Sequence, residues 1–417
     1  MHQLIKGLSL ATAITTICLG STPSAWGQTA PGLTKKVLQM ERDREKEFED
    51  YFEEDLASVS KTADETAQEL ARLSRETNTR SALLYVIPRK THLHLVLITP
   101  NGTPIVKDLY EVTDPLLFKT ARNFHQSILR LDNQSAQEAG LKLHSWIIAP
   151  YEKELSDANI DLILFCLGNG IKDLALPALY DGNQYLIETY AISRIPAFNL
   201  IDTQYRPFKS GSLLAMGASH FQNKQVPLLP GSKRELQALE SSLKSSKQSR
   251  FWTVERLENR SFTQARINKQ LKTTPHSALH ISTHAQFQAG KANESYLQLW
   301  DKKLRLTDLN EVDWDASKAD LIVLSACQTA IGDTNSANGF AGIALKAGVP
   351  SAIGTLWSVN DRASATLMKN FYASLPESST KAQALQTAQQ LILDIKLQGI
   401  QTAPYYWAGF SLISSPW

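Results

Sequence analysis

The chain has 417 residues, enough for two or three domains or for one large domain with an appendage. Its 43 basic and 41 acidic residues leave a formal charge of +2, which excludes the strong positive field of a protein built to bind nucleic acid or an anionic membrane. With 43% hydrophobic residues it can build a core, and its three cysteines, Cys18, Cys166 and Cys327, have neither metal-type spacing nor a paired framework, which excludes a zinc module and a disulfide scaffold.

Residues 1–27 read as a secretory signal peptide: Lys6 is the basic start, Leu8 to Leu19 is an apolar run too short to span a bilayer, and Ala25-Trp26-Gly27 is a small-residue cleavage site. Cleavage after Gly27 predicts an exported protein, periplasmic or extracellular, with no integral membrane segment left. Residues 28–80 form a charged amphipathic helical segment, with apolar positions at Val37, Met40, Phe48, Tyr51, Phe52, Leu56, Val59, Ala67, Leu70 and Leu73. Opposite charges four apart, at Lys46 and Asp50, Lys61 and Glu65, and Arg72 and Glu76, mark a solvated face. The preferred reading packs this segment on the rest of the chain; the other makes it a docking arm for a partner protein. No self-similarity at the tetratricopeptide period is present.

Strands are predicted at Ala82 to Ile87 and His92 to Ile98, joined across Pro88-Arg89-Lys90. His92 and His94 alternate with Leu93, Leu95 and Leu97, so they face away from the apolar side and read as surface residues rather than metal ligands. Helices follow at Pro115 to Leu131 and Gln134 to Ile148, then a helical turn at Tyr151 to Leu155 and a buried strand at Ile160 to Leu167, in which Cys166 is a structural thiol. Residues 207–250 look looser: a strand at Leu213 to Met216, a turn at Pro230-Gly231, and a Glu- and Leu-rich helix ending in a Ser- and Lys-rich run, read as an exposed loop rather than a processing site.

Two apolar runs then end alike. Ser277 to Phe287 is a short strand pattern ending in a polar turn, with His284 in the place that Cys327 occupies just past the apolar run Leu321 to Leu324. A thiol needs a base to become a nucleophile, and neighbouring parallel strands with these ends would bring imidazole and sulfur within hydrogen-bonding range. A glycine-rich turn, a helical pattern through Ala347 and a strand at Ser351 to Leu356 complete a strand, helix, strand unit. Helices at Arg362 to Tyr372 and Thr380 to Leu397 and a strand at Pro404 to Ile413 read as scaffold. Gly332 to Gly342 lacks a Walker lysine, so a nucleotide site is set aside.

The ordered motifs HISTHA (His280 to Ala285), LSACQT (Leu324 to Thr329), GTLWSVND (Gly354 to Asp361) and PYYWAGF (Pro404 to Phe410), with ALYDGNQYLIETYAI (Ala178 to Ile192) upstream, resemble the CHAT domain, a caspase-like cysteine peptidase family. The resemblance implies a caspase-like α/β/α sandwich with a mostly parallel sheet, preceded by the helical amino-terminal segment. It divides residues 81–417 into an amino-terminal half (81–206), the connecting region (207–250) and a catalytic half (251–417). It implies an endopeptidase acting on protein or peptide substrates without metal or cofactor, with His284 and Cys327 as the catalytic dyad. The backbone amides of Ala285, where relatives commonly carry glycine, and Cys327 are oxyanion-hole candidates. Asp333 and Asp361 are candidates to pair with a basic P1 side chain, with Trp357 on the cleft wall, although Asn360 or Asp361 also fits a helix N-cap. His280, inside the apolar strand, reads as a core histidine. The competing reading is a catalytically silent protein that keeps the fold as an interaction module. A bridge between Cys166 and Cys327 would silence the enzyme.

Overall fold

Strand β4 (Leu162–Leu167) is buried at every position, as expected of a strand covered on both faces. It sits near the middle of a sheet whose other amino-terminal members are β1 (Ser81–Arg89), β2 (His92–Ile98), β3 (Ile105–Leu109) and β5 (Ala191–Arg194). Next in the chain come β6 (Gly211–Gly217), β7 (Trp252–Glu258) and β8 (Ala278–Ser282). A small antiparallel sheet follows, made of β9 (Ala285–Gln286), β10 (Tyr296–Gln298) and β11 (Lys303–Arg305). The main sheet resumes with β12 (Leu321–Leu324) and β13 (Ser351–Thr355); a two-residue ladder, β14 (Lys396–Leu397) and β15 (Ile400–Gln401), precedes the last main strand, β16 (Phe410–Ser414). The computed structural model describes residues 31–52, 60–245, 251–286, 293–325, 348–397 and 400–417. Residues 1–27, expected to be a signal peptide, together with Cys327 and Asp333 lie outside them.

Among the described residues the main sheet has eleven strands in the order β3-β2-β1-β4-β5-β16-β13-β12-β8-β6-β7. The strands β1, β4, β5 and β16 are mutually parallel, and so are β13, β12, β8, β6 and β7. The two blocks run in opposite directions and meet at the antiparallel β13–β16 pair. In the second block β6 comes first in the chain, β7 lies on one side of it and β8, β12 and β13 follow on the other, so the connection reverses direction between β6 and β8. Crevices form outside the carboxyl ends of strands at such a point.

Alternate residues of β6 divide the covering layers. Leu213 and Ala215 share a core with α7 (Pro230–Ser245) and with the helix Asp361–Ser374, through Leu236, Leu239, Leu367 and Phe371. Leu214 and Met216 pack on the opposite face with Ile267 and Leu271 of the helix Gln264–Thr273 and with Leu297, Leu309 and Trp314. Each of these leucines, fully buried, contributes roughly 1.5–3 kcal/mol. The result is the layered α/β/α sandwich with a mostly parallel sheet.

The helical segment is part of this body. It forms α1 (Pro31–Phe52) and α2 (Ala63–Thr77), and α3 (Asp114–Leu129), α4 (Asn133–Ile147), α5 (Glu152–Asp157) and α6 (Leu186–Thr189) follow before α7. Thr62 and Glu65 make a capping box at the start of α2, and Asn78 closes it in the left-handed region at φ 51°. Arg72 bridges Glu69 and Glu76 along its surface. On α1, Val37 and Met40 enter the core, and the buried Glu41 carboxylate accepts from the Tyr85 hydroxyl at 2.5 Å, the Phe198 amide at 3.0 Å and the Asn199 amide and side chain at 2.9 Å. Four donors on one carboxylate fasten the helix at a single position. Among the described residues no helix is long and apolar enough to cross a membrane.

Four expectations change. Residues 207–245 are not a loose connector, because β6 is an interior strand and α7 covers one face; the remainder of the Ser- and Lys-rich run, 246–250, lies outside the described residues. Pro230 and Gly231 open α7 instead of making a free turn, since proline's fixed φ and missing N–H suit a helix start. The last strand is confined to Phe410–Ser414, and Pro404–Tyr406 is a helical turn. The hairpin bends at Lys90 and Thr91, and Pro88 stays paired with Leu93.

Candidate active site

A cleft opens at the carboxyl ends of β8, β12 and β13, where Ser282, Thr283, Ser325 and Thr355 form its floor. The first turns of α7 (Ser232, Glu235) and of the helix Asp361–Ser374 (Asp361, Ser364) form its walls. Ser232 Oγ donates to the Ser282 carbonyl at 2.8 Å, and Ser282 Oγ donates to Glu235 Oε2 at 2.8 Å. These contacts tie α7 to the end of β8. Gly217 permits them, because a Cβ there would collide with the Ser282 carbonyl and Ser232 Oγ.

His284 stands at the rim, half-buried, two residues past β8. Its ring lies 5.4 Å from that of the buried Phe221, and its Nε2 is 2.9 Å from the Pro227 carbonyl oxygen. A carbonyl only accepts, so Nε2 carries the proton and Nδ1 is left as the basic nitrogen of the neutral ring. The His284 carbonyl accepts from Gln298 N at 2.9 Å. His284 and Gln298 are therefore a hydrogen-bonded pair of the antiparallel ladder, and the next pair, Ala285 and Leu297, is of the other kind. The amide of Ala285 consequently points away from β10.

The register beside His284 is continuous: Val323 pairs with His280, Leu324 with Ile281, and the Ser325 amide donates to the Ile281 carbonyl at 2.9 Å. Cys327 and Asp333 lie outside the described residues. Asp361 has a defined place. Asn360 is the helix N-cap, accepting from the amides of Arg362 at 3.0 Å and Ala363 at 3.3 Å. With the cap supplied by its neighbour, the Asp361 carboxylate turns into the cleft against Gly231, where a Cβ would collide with it. Trp357 is displaced from the expected cleft wall: it is only 2% exposed and its indole N–H donates to the Tyr405 carbonyl at 3.0 Å. The chain turns between Thr355 and Val359, so the bulky ring meets the core while its smaller neighbours meet the cleft.

His280 is fully buried behind the cleft, as its place in the strand implied. Its Nε2 approaches Glu235 Oε1 at 3.3 Å without the alignment of a hydrogen bond, and Tyr372 Oη lies 3.4 Å from Nδ1. Burial, then the Glu235 charge, holds the Tyr372 hydroxyl well above its usual pKa. Glu235, Ser282 and Pro227 have no sequence signal of their own, because their roles exist only once α7 and β8 meet. Cys166 is a free thiol, fully buried in β4, with Sγ 3.2 Å from the Pro196 carbonyl and a pKa pushed up to about 12, chiefly by burial.

Comparison with solved structures finds the Saccharomyces cerevisiae separase–securin complex (TM-score 0.48, 10% identity, 92% of this chain and 34% of that chain). It also finds the Arg-specific cysteine proteinase gingipain R (TM-score 0.45, 11% identity, 82% and 78%). A third is caspase-1 from Spodoptera frugiperda (TM-score 0.31, 12% identity, 51% and 89%). The chain spans about a third of the length of the separase chain it matches. No curated protein matches its sequence. The profile of the CHAT domain matches residues 137–415, from within the helix Asn133–Ile147 to the end of the sheet, and the chain belongs to the CHAT domain family.

Proposed function

We propose that the protein is an exported caspase-like cysteine endopeptidase whose dyad is His284 and Cys327. The observation that carries this reading is the β8–β12 register. Leu324 lies beside Ile281, and His284 and Cys327 each follow their register partner by three positions in the sequence.

In this reading the Cys327 thiol gives its proton to Nδ1 of His284, and the thiolate attacks a peptide carbonyl carbon. The amides of Ala285 and Cys327 stabilise the oxyanion. Collapse of the tetrahedral adduct breaks the C–N bond, and the imidazolium protonates the departing amine. Water, deprotonated by the same nitrogen, then hydrolyses the thioester and restores the thiol. The Pro227 carbonyl supports the assignment, since it holds Nε2 as the donor and leaves Nδ1 for the proton transfers. Asp361, with Asp333, pairs with a basic P1 side chain entering the serine- and threonine-lined cleft. Residues 1–27 direct the chain to the periplasm or beyond. A partner protein at the amino-terminal segment would meet the polar outer faces of α1 and α2, because the inner faces are occupied by the body.

The test is a peptide-library screen on residues 28–417 beside Cys327→Ala and His284→Ala, with circular dichroism to monitor the fold. Loss of cleavage in both variants supports the dyad; unchanged turnover in either overturns it.

A further inference from the structure

Far from the cleft, at the amino-terminal edge of the sheet, the β2–β3 hairpin gathers three metal-ligating side chains. His92 and His94 are two residues apart on β2 and share one face. Strand β3 runs antiparallel beside them and sets Asp108 directly opposite His94. Asp108 Oδ1 lies 3.5 Å from His92 Nε2 and 2.5 Å from His94 Nδ1, and the three ligand atoms fall within 4.8 Å of one another.

We propose that His92, His94 and Asp108 form a site for a divalent transition cation of the zinc class. Bonds of about 2.0–2.2 Å in a tetrahedral shell put ligand atoms roughly 3.3–3.5 Å apart, so the cluster reaches that geometry by side-chain adjustments of about 1 Å. Two imidazoles and one carboxylate favour zinc, nickel or copper over calcium and magnesium, which seek oxygen shells. The His92 ring is already oriented: Thr91 Oγ1 is 3.0 Å from Nδ1, which turns Nε2 toward Asp108, and the Tyr110 ring lies 4.9 Å away. The side chains of His92, His94 and Asp108 remain 21%, 18% and 33% exposed, which leaves the fourth position open to water. β2 is seven strands from β8 in the sheet, so the cation would pin the edge hairpin and take no part in the cleft.

The experiment uses residues 28–417 carrying Cys327→Ala, so that the thiol cannot compete for metal. Zinc is titrated calorimetrically, and cobalt is followed by its visible absorption. One cation per chain with micromolar or tighter affinity is expected, together with a rise in the thermal midpoint at saturating zinc. His92→Ala and Asp108→Asn, both changes at the solvent-facing edge, should each weaken zinc binding at least tenfold, and His94→Ala should abolish it. Binding that is unchanged in His92→Ala and Asp108→Asn, or no binding below 100 micromolar in the parent, would overturn the proposal. Circular dichroism of each variant without metal separates loss of the site from loss of the fold.

Discussion

The Pro227 carbonyl oxygen and Nε2 of His284 are 2.9 Å apart, and the Phe221 ring lies against the same imidazole. Together they fix both the tautomer and the plane of the ring before any substrate arrives. In the proposed dyad Phe221 acts by orienting the His284 ring, so Phe221→Leu should lower kcat by about 10- to 100-fold while KM changes little. His284→Ala should remove roughly 100-fold or more. Steady-state kinetics on a cleaved peptide measure both. An equal rise in KM for Phe221→Leu would mean that the ring contacts substrate instead.

Asp361 and Gly231 make a linked prediction about specificity. Asn360 caps the helix, so Asp361→Asn leaves the fold intact while removing the charge that faces the cleft. On the proposed basic P1 specificity, preference for Arg or Lys over a neutral residue should fall about 10- to 100-fold in Asp361→Asn, the range for hydrogen bonds to a charged group. Gly231→Ala should shift the same preference by pushing the carboxylate aside. If both variants keep the parent's P1 profile, Asp361 does not read the substrate.

Much of this was readable in the sequence wherever burial imposes a pattern. The runs Leu162 to Leu167 and Leu321 to Leu324 are apolar throughout because both faces are covered, and they became β4 and β12. The edges were harder. β3 and β7 are outermost strands interrupted by charged residues, Lys107 and Asp108 in one and Glu255, Arg256 and Glu258 in the other, so neither carries the apolar signal of a buried strand. His284 could be singled out as a candidate because its position past an apolar run is local information. Pro227, Glu235 and Asp108 were missed because their partners are brought in by tertiary contacts. Trp357 fits either the wall or the core when read from sequence, and only the turn between Thr355 and Val359 buries its ring.

Cys166 should be silent to thiol reagents in the native protein. It is fully buried and its pKa is raised to about 12, so the thiolate is scarce at pH 8. β4 is also separated from β12 by three strands, which places Cys166 far from the end of the β12 strand. Titration with an aromatic disulfide in residues 28–417 carrying Cys327→Ala, where Cys166 is the one cysteine left, should register no thiol before denaturation and one after. Recovery of a Cys166–Cys327 bridge by mass spectrometry of the unreduced wild-type protein would refute the inertness of Cys166.

Glu41 is the anchor of the amino-terminal helix, and its loss strands several donors at once. In Glu41→Leu the Tyr85 hydroxyl and the Phe198 and Asn199 amides lose their acceptor in a buried setting. Each unsatisfied donor costs about 1–3 kcal/mol, so an overall destabilisation of roughly 3 kcal/mol is expected after partial relaxation. Chemical denaturation gives the value. Limited proteolysis should cut within α1 first if that helix detaches as a unit.

Acid stability offers a separate check on α2. The Glu69 carboxyl is held at about 2, below its ordinary 4.5, first by the Arg72 side chain and then by the Thr203 hydroxyl, against an opposing cost of burial. A carboxyl with a depressed folded pKa contributes stability that is present above pH 4.5 and is lost as pH falls from there toward 2. Solvent screening of this surface cluster limits the contribution to about 1 kcal/mol. Glu69→Gln should therefore be less stable than the parent at pH 6, and the gap should close between pH 4.5 and 2.5. A gap that stays constant across that range would assign the effect to packing of the side chain and not to its charge.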